Sequence, residues 1–153
     1  MAGKNKKALS GNEYPAVPVP AVGVVVPGPD GRVLMVRRGN PPARGLWSVP
    51  GGSIELGETM FQCAMREVWE ETRIRCMPLR VCNAVDAIYR DQEGAIRFHY
   101  VIVYVVARWE SGEPQAGDDA SEASWFSLEE IKSLDTPGRT CELLQQVREL
   151  QGF

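Results

Sequence analysis

Two adjacent glycines, a six-residue step to a glutamate, and then a helix bearing three more glutamates constrain this chain more than any other feature. Gly52 is followed by Glu58 and then by Arg66-Glu67-Val68-Trp69-Glu70-Glu71. If each identity occurs at roughly 6–7% of positions, six of them at fixed offsets arise by chance in a chain this size on the order of 1 time in 100,000. The helix has a written start, because Thr59 can cap it and Gln62, three residues on, can return the hydrogen bond. Phe61, Ala64, Met65, Val68 and Thr72 recur at helical spacing, which predicts a mostly apolar face lying on a sheet. Glu67, Glu70 and Glu71 fall on an adjoining face.

The sheet that such a helix needs is readable on both sides of it. Residues 21–26 and 32–37 are β-branched-rich and flank Pro27-Gly28-Pro29-Asp30-Gly31, which predicts a hairpin. Residues 81–89 and 95–107 predict a second hairpin, with Phe98, Tyr100, Ile102 and Tyr104 on one side of the longer strand and Arg97, His99, Val101 and Val103 on the other. A short strand at 123–127 precedes helical patterns at 128–134 and 140–150. Strands before, between and after single helices indicate a mixed sheet with helices on its faces, an α/β sandwich. The 153 residues, 44% of them hydrophobic, fit one domain. We expect a flexible leader over 1–18 and the folded domain over 19–153.

Charge and cysteine usage narrow the function. With 17 basic and 20 acidic side chains the net charge is −3, which does not favour a nucleic acid polymer or an anionic membrane. Phosphate binding must then be local or metal-assisted. Cys63, Cys76, Cys82 and Cys141 form no CxxC pair, and a single His99 cannot complete a zinc cluster. The leader carries Lys4, Lys6 and Lys7 without the apolar core of a secretory signal. No run of 18 apolar residues exists, so a cytoplasmic location is expected.

The glutamate face calls for a cation if it lines a cleft. Residues at i, i+3 and i+4 bring their Cβ atoms to about 5–6 Å, where unit charges at an effective dielectric near 20 repel by about 3 kcal/mol per pair. On a wet surface that repulsion is tolerable, and acidic helix runs often are solvated faces. Arg66, four residues before Glu70, and a Gly51-Gly52 carbonyl able to join a metal shift the balance toward a site. Hard oxygen donors of this kind suit Mg²⁺, with Mn²⁺ as a substitute.

From Gly52 to Ile74 these residues resemble the Nudix hydrolase motif at every defined position except Arg73, where the family has glycine. The departure puts a Cβ where the helix normally ends left-handed, at roughly 1–2 kcal/mol. The resemblance implies an α/β/α sandwich with a mixed central sheet and Mg²⁺-dependent hydrolysis of a nucleoside diphosphate linked to another group. It also implies Glu67 and Glu71 as principal metal ligands, Glu70 as an additional one and Gly51 as a carbonyl ligand. Glu58 and Arg66 would be mainly structural. A further carboxylate is implied near Trp125, with Asp119 best placed and Asp118 or Glu122 as substitutes. Water would attack a phosphorus of the diphosphate bridge, Mg²⁺ acidifying it and Glu67 or Asp119 taking the proton.

Substrate signals are thinner. Arg37 and Arg38 close a strand where guanidinium groups could hold phosphate, or are plain surface charge. Trp47 either stacks on a base or packs as core, and His99 reads as a structural histidine. Tyr89 sits near the place of a tyrosine in diadenosine-polyphosphate members. The general run is most similar to compact members acting on ADP-ribose or related nucleoside diphosphate sugars. Removal of nucleoside triphosphates, hydrolysis of dinucleoside polyphosphates and binding without cleavage are the alternatives. A small-molecule nucleotide is the expected partner, and an exposed strand or the Phe98/Tyr100 side offers a surface for a homodimer.

Overall fold

The computed structural model describes residues 12–117 and 119–151. The larger of two sheets places β4 (Gly51–Ser53), β1 (Val19–Val25), β6 (Ile96–Ser111) and β5 (Arg75–Arg90) side by side in that order. β1 runs parallel to β6 and antiparallel to β4, so this sheet is mixed. The smaller sheet is antiparallel, with β2 (Val33–Arg38) between β3 (Trp47–Ser48) and β7 (Ala120–Phe126). Helix α1 (Met60–Thr72) follows β4, and α2 (Leu128–Lys132) and α3 (Thr140–Gln151) follow β7.

Strand alternation sorts the core into two layers. Val22, Val24 and Val26 pack with Leu34, Val105, Ala107, Trp125 and the inner face of α1. Their neighbours Val25, Val33, Met35 and Val106 pack the other way, with Ile131 of α2 and Leu143, Leu144 and Val147 of α3. The result is the α/β/α sandwich expected from the sequence.

Three sequence expectations are corrected. Strands β1 and β2 do not form a hairpin along their length: they meet at a Pro27–Val33 bridge and at the Leu34 N–H to Val26 carbonyl bond of 3.1 Å, then part into different sheets. Each strand has both edges taken, β1 by β4 and β6 and β2 by β3 and β7, which leaves no edge for a hairpin between them. On α1 the buried residues are Cys63, Ala64, Val68 and Thr72. Phe61 and Met65 are 37% and 41% exposed, because the small Cys63 turns inward and lets the helix approach β4, its Sγ lying 3.6 Å from the Ser53 carbonyl. Phe98 is fully enclosed, so it offers no surface for a dimer.

The ends of α1 are both settled by side chains. Thr59 and Gln62 form the expected capping box, with Oγ1 accepting from the Gln62 N–H at 3.1 Å and the Gln62 side chain accepting from the Thr59 N–H at 2.9 Å. At the other end Arg73 adopts the left-handed conformation (φ 59°) and donates its N–H to the Trp69 carbonyl at 2.9 Å. Its guanidinium lies 5.6 Å from the Trp69 ring centroid, and Arg75 lies 4.4 Å from the same ring. Contacts of this kind, about 0.5–1 kcal/mol each at exposed sites, offset part of the backbone strain. Of the segment expected to be a flexible leader, residues 1–11 lie outside the described residues, whereas Asn12, Glu13 and Tyr14 hydrogen-bond to the body of the domain.

Candidate active site

The site is assembled where α1 passes over β4. Gly51 pairs with Gly23, and Gly52 with Val22. Gly51 is required sterically, since a Cβ there would strike the Val22 carbonyl, and a Cβ on Gly52 would displace the Glu67 carboxylate. Glu67 therefore lies flat against the Gly52 backbone. Glu71, one turn further along α1, accepts a hydrogen bond from the Gly51 N–H at 2.9 Å.

Arg66 organises the acidic residues around it. Its guanidinium donates to Glu58 at 2.7 and 2.9 Å, to Glu67 at 2.7 Å, to Glu70 at 3.1 Å and to the Ser53 carbonyl at 3.1 Å. The sequence suggested only the Glu70 and Glu58 pairings. These bonds hold the loop before α1 to the helix and to β4. They also push the carboxylates apart in character. The hydrogen bonds from Arg66 hold Glu58 down at about 2, while burial pushes Glu67 up to about 6 against the pull of Arg66. Burial pushes Glu71 up to about 8, with the Glu67 and Asp119 charges adding to it and the Gly51 N–H and Arg38 opposing.

A loop fixes the remaining carboxylate. The last carbonyls of α1 accept N–H groups from the segment before β7, Thr72 from Gln115 at 2.9 Å and Glu71 from Gly117 at 3.0 Å. A Cβ on Gly117 would collide with the Glu70 carbonyl. Asp119 follows at once, its carbonyl accepting from the Gly39 N–H at 2.9 Å, so its side chain is carried to the rim near Glu71. The sequence signals for this support, Gly39 and Gly117, were not read as such.

Glu67, Glu71, Gly51, Asp119, Arg37 and Arg38 all line one cleft of about 1780 Å³. Arg37 is tethered to the Gly45 carbonyl and Glu122, and Arg38 to the Pro42 carbonyl. Of the other candidates, Asp118 lies outside the described residues, Glu70 is turned to Arg66, and His99 stands opposite Ile88 outside the cleft. Trp47 packs edge-on against Phe126 at 4.9 Å and does not line the cleft. The cleft continues over the face of the larger sheet bearing Gly23, Tyr104, Ile102 and Tyr100, with Tyr89 beyond. None of these tyrosines except Tyr89 was singled out from sequence as a substrate marker.

Among the described residues no three His, Cys, Asp or Glu side chains gather on one point, since Arg66 and the Gly51 N–H hold the acidic groups. A divalent cation nevertheless fits the donor set. Two carboxylates kept from water stand beside each other on a glycine backbone, and a positive charge there would offset the burial that raises both.

Comparison with known proteins agrees with the geometry. The sequence model of the NUDIX domain matches residues 17–145. An ADP-ribose pyrophosphatase of Methanocaldococcus jannaschii is 31% identical over 69% of this chain and 60% of its own length. A putative mutator protein, MutT4, of Mycobacterium tuberculosis is 35% identical over 74% of this chain and 47% of its own. This chain thus spans roughly half to three-fifths of the length of these two relatives. Among solved structures, the NUDIX domain of Shewanella oneidensis NrtR, in complex with ADP ribose, superposes with a TM-score of 0.72 at 25% identity, covering 98% of this chain and 95% of that one.

Proposed function

This chain belongs to the Nudix family, and from that premise we propose that residues 19–153 form a Mg²⁺-dependent pyrophosphohydrolase domain. Its substrate is a nucleoside diphosphate linked to another group, with ADP-ribose or a similar nucleoside diphosphate sugar favoured. The products are a nucleoside monophosphate and a phosphorylated remainder. The observation that carries this reading is the pairing of Glu67 and Glu71 on the Gly51-Gly52 backbone at the head of the cleft. The substrate class is supported by the relative named for ADP-ribose and by the neighbouring domain bound to it.

In this mechanism Glu67, Glu71 and the Gly51 carbonyl would hold Mg²⁺, with Glu70 as an additional ligand. When bound, the ion supplies charge for the diphosphate and acidity for the attacking water. Burial raises Glu67 to about 6 in the metal-free chain, and Glu67 or Asp119, both lining the cleft, would take the proton of the attacking water. Arg37 and Arg38 line the same cleft, where guanidinium groups hold phosphate oxygens. Arg66 takes no part in the chemistry and positions Glu67.

A panel of ADP-ribose, nucleotide sugars, dinucleoside polyphosphates and nucleoside triphosphates, with products identified by mass, tests the reading. Release of AMP from ADP-ribose with magnesium is the expected result. Turnover confined to triphosphates would overturn the substrate assignment. The second reading is binding without cleavage, favoured by the likeness to a domain known in complex with ADP ribose. Calorimetric binding of ADP-ribose with no AMP formed would support it.

A further inference from the structure

Resting on that reading, we propose that Asn12 and Glu13, in the segment ahead of β1, complete a second subsite at the far end of the cleft, which takes the hydroxylated sugar ring linked to the diphosphate. Both residues line the cleft. The subsite determines specificity and takes no part in bond breaking.

Its distance from the carboxylates follows from the sheet register. Gly51 pairs with Gly23, and Gly23 with Tyr104, two strand spacings or about 10 Å from Gly51 to Tyr104. Tyr100 lies four residues back along β6, a further 13 Å or so, which puts it roughly 16 Å from Gly51 across the diagonal. A group bound at Tyr100 is therefore a distal part of an extended substrate, while the diphosphate stays beside Glu67 and Glu71.

The segment is fastened there by more bonds than a passing tail requires. Asn12 donates its side-chain amide to Ser53 Oγ at 2.7 Å, which ties the segment to β4 two residues beyond Gly51. Glu13 pairs with Arg97 at 2.8 Å, and its side chain is only 12% exposed. Tyr14 donates its N–H to the Arg97 carbonyl at 2.7 Å and its hydroxyl to Asp91 at 2.8 Å. Tyr14 holds a positive φ of 50°, sparsely populated for a bulky residue and maintained only where surrounding contacts over-determine it.

The chemistry of the subsite selects its occupant. Glu13 and Arg97 neutralise each other, so the far end has no surplus positive charge for a phosphate. What it offers is the Asn12 amide oxygen, its N–H being given to Ser53, and the second oxygen of the Glu13 carboxylate, its first being held by Arg97, acceptors placed for neighbouring hydroxyls. The Tyr100 ring, stacked on the enclosed Phe98 at 6.2 Å and 14° between planes, gives a fixed flat wall for the apolar face of a ring.

The test compares two substrates in steady-state kinetics: the nucleoside diphosphate sugar that the unaltered chain cleaves fastest, and a nucleoside triphosphate lacking the second sugar. In Asn12→Ala and Glu13→Gln, KM for the sugar substrate should rise roughly tenfold, in line with loss of one or two hydrogen bonds, with kcat changed less than twofold. KM for the triphosphate should stay constant. Tyr14→Phe, which loosens the segment but keeps both cleft-facing groups, should give a smaller rise confined to the sugar substrate. Unchanged KM in all three variants would overturn the subsite. An equal rise for both substrates would place the nucleobase there instead, or mark a structural defect, and overturns it too. Absence of cleavage by the unaltered chain overturns the reading of function itself and the subsite with it.

Discussion

Glu58, in the loop just before α1, and Glu71, in its last turn, have opposite fates. Glu58 lies under Arg66, receives two short hydrogen bonds and is held down at about 2. Glu71 is buried against a backbone N–H, with a second carboxylate beside it, and is pushed up to about 8. The contrast shows how a short motif divides its acidic residues. One is fixed by a cation that the chain carries itself, and the other is left short of positive charge, which on the proposed function a divalent cation would supply.

The largest effect expected from breaking this contrast is on turnover. Glu67→Gln keeps the shape of the side chain and removes both the base and a ligand charge, so kcat should fall by about 10²–10⁴ with the fold intact by circular dichroism. A rate within threefold of the unaltered chain would remove Glu67 from the chemistry.

Stability against pH separates the two carboxylates directly. Glu71 has a folded-state value near 8 against an ordinary 4.5, so between those values the folded chain holds a proton that the unfolded chain has released. Stability then falls as pH rises from about 4.5 to about 8 in cation-free buffer. Glu58, lowered to about 2, acts the other way, and its contribution is lost as pH falls from about 4.5 to about 2. Chelated protein should therefore be most stable near pH 4–5. Millimolar magnesium should raise Tm most at pH 8. Thermal melts across this range check both limbs, and Glu71→Gln should flatten the alkaline limb above about pH 6, leaving the fall that Glu67 contributes below it.

Arg66→Ala tests the fixed side. Removing the guanidinium leaves Glu58 and Glu67, whose side chains are 12% and 14% exposed, without their partner. Loss of a partner from a buried pair costs 3–5 kcal/mol, and partial exposure lowers the expected cost here to about 2–3 kcal/mol. Denaturant unfolding measures it, and a cost below about 1 kcal/mol would show the hub to be ornamental. The smallest effect is expected at the helix end, where Arg73→Gly relieves left-handed strain of about 1–2 kcal/mol but forfeits contacts with Trp69. A net gain of about 0.5–1 kcal/mol in the same assay is the expected outcome.

What could be read in the sequence was whatever local spacing controls. The capping box, the helix span and the glutamate offsets depend on residues within one or two turns of each other, and all were legible. The β1–β2 hairpin was misjudged because turn chemistry at Pro27–Gly31 is local, whereas the choice of edge partners depends on strands distant in sequence, as the Val36–Ala123 and Arg37–Glu122 pairings show. The same reason hid the roles of Gly117, Gly39 and Asn12, whose partners are distant in the chain. Trp47 was ambiguous from sequence because an aromatic before a glycine loop packs or stacks depending on what faces it, and Phe126 faces it here.

The contact between Gly23 and Tyr104 has an evolutionary corollary. The tyrosine ring lies so close over the Gly23 backbone that any Cβ there would overlap it. The two positions cannot drift independently: a larger residue at 23 is admissible only after position 104 has shrunk. Such an exchange would reshape the floor of the cleft, on which the proposed substrate would rest, through residues other than the carboxylates.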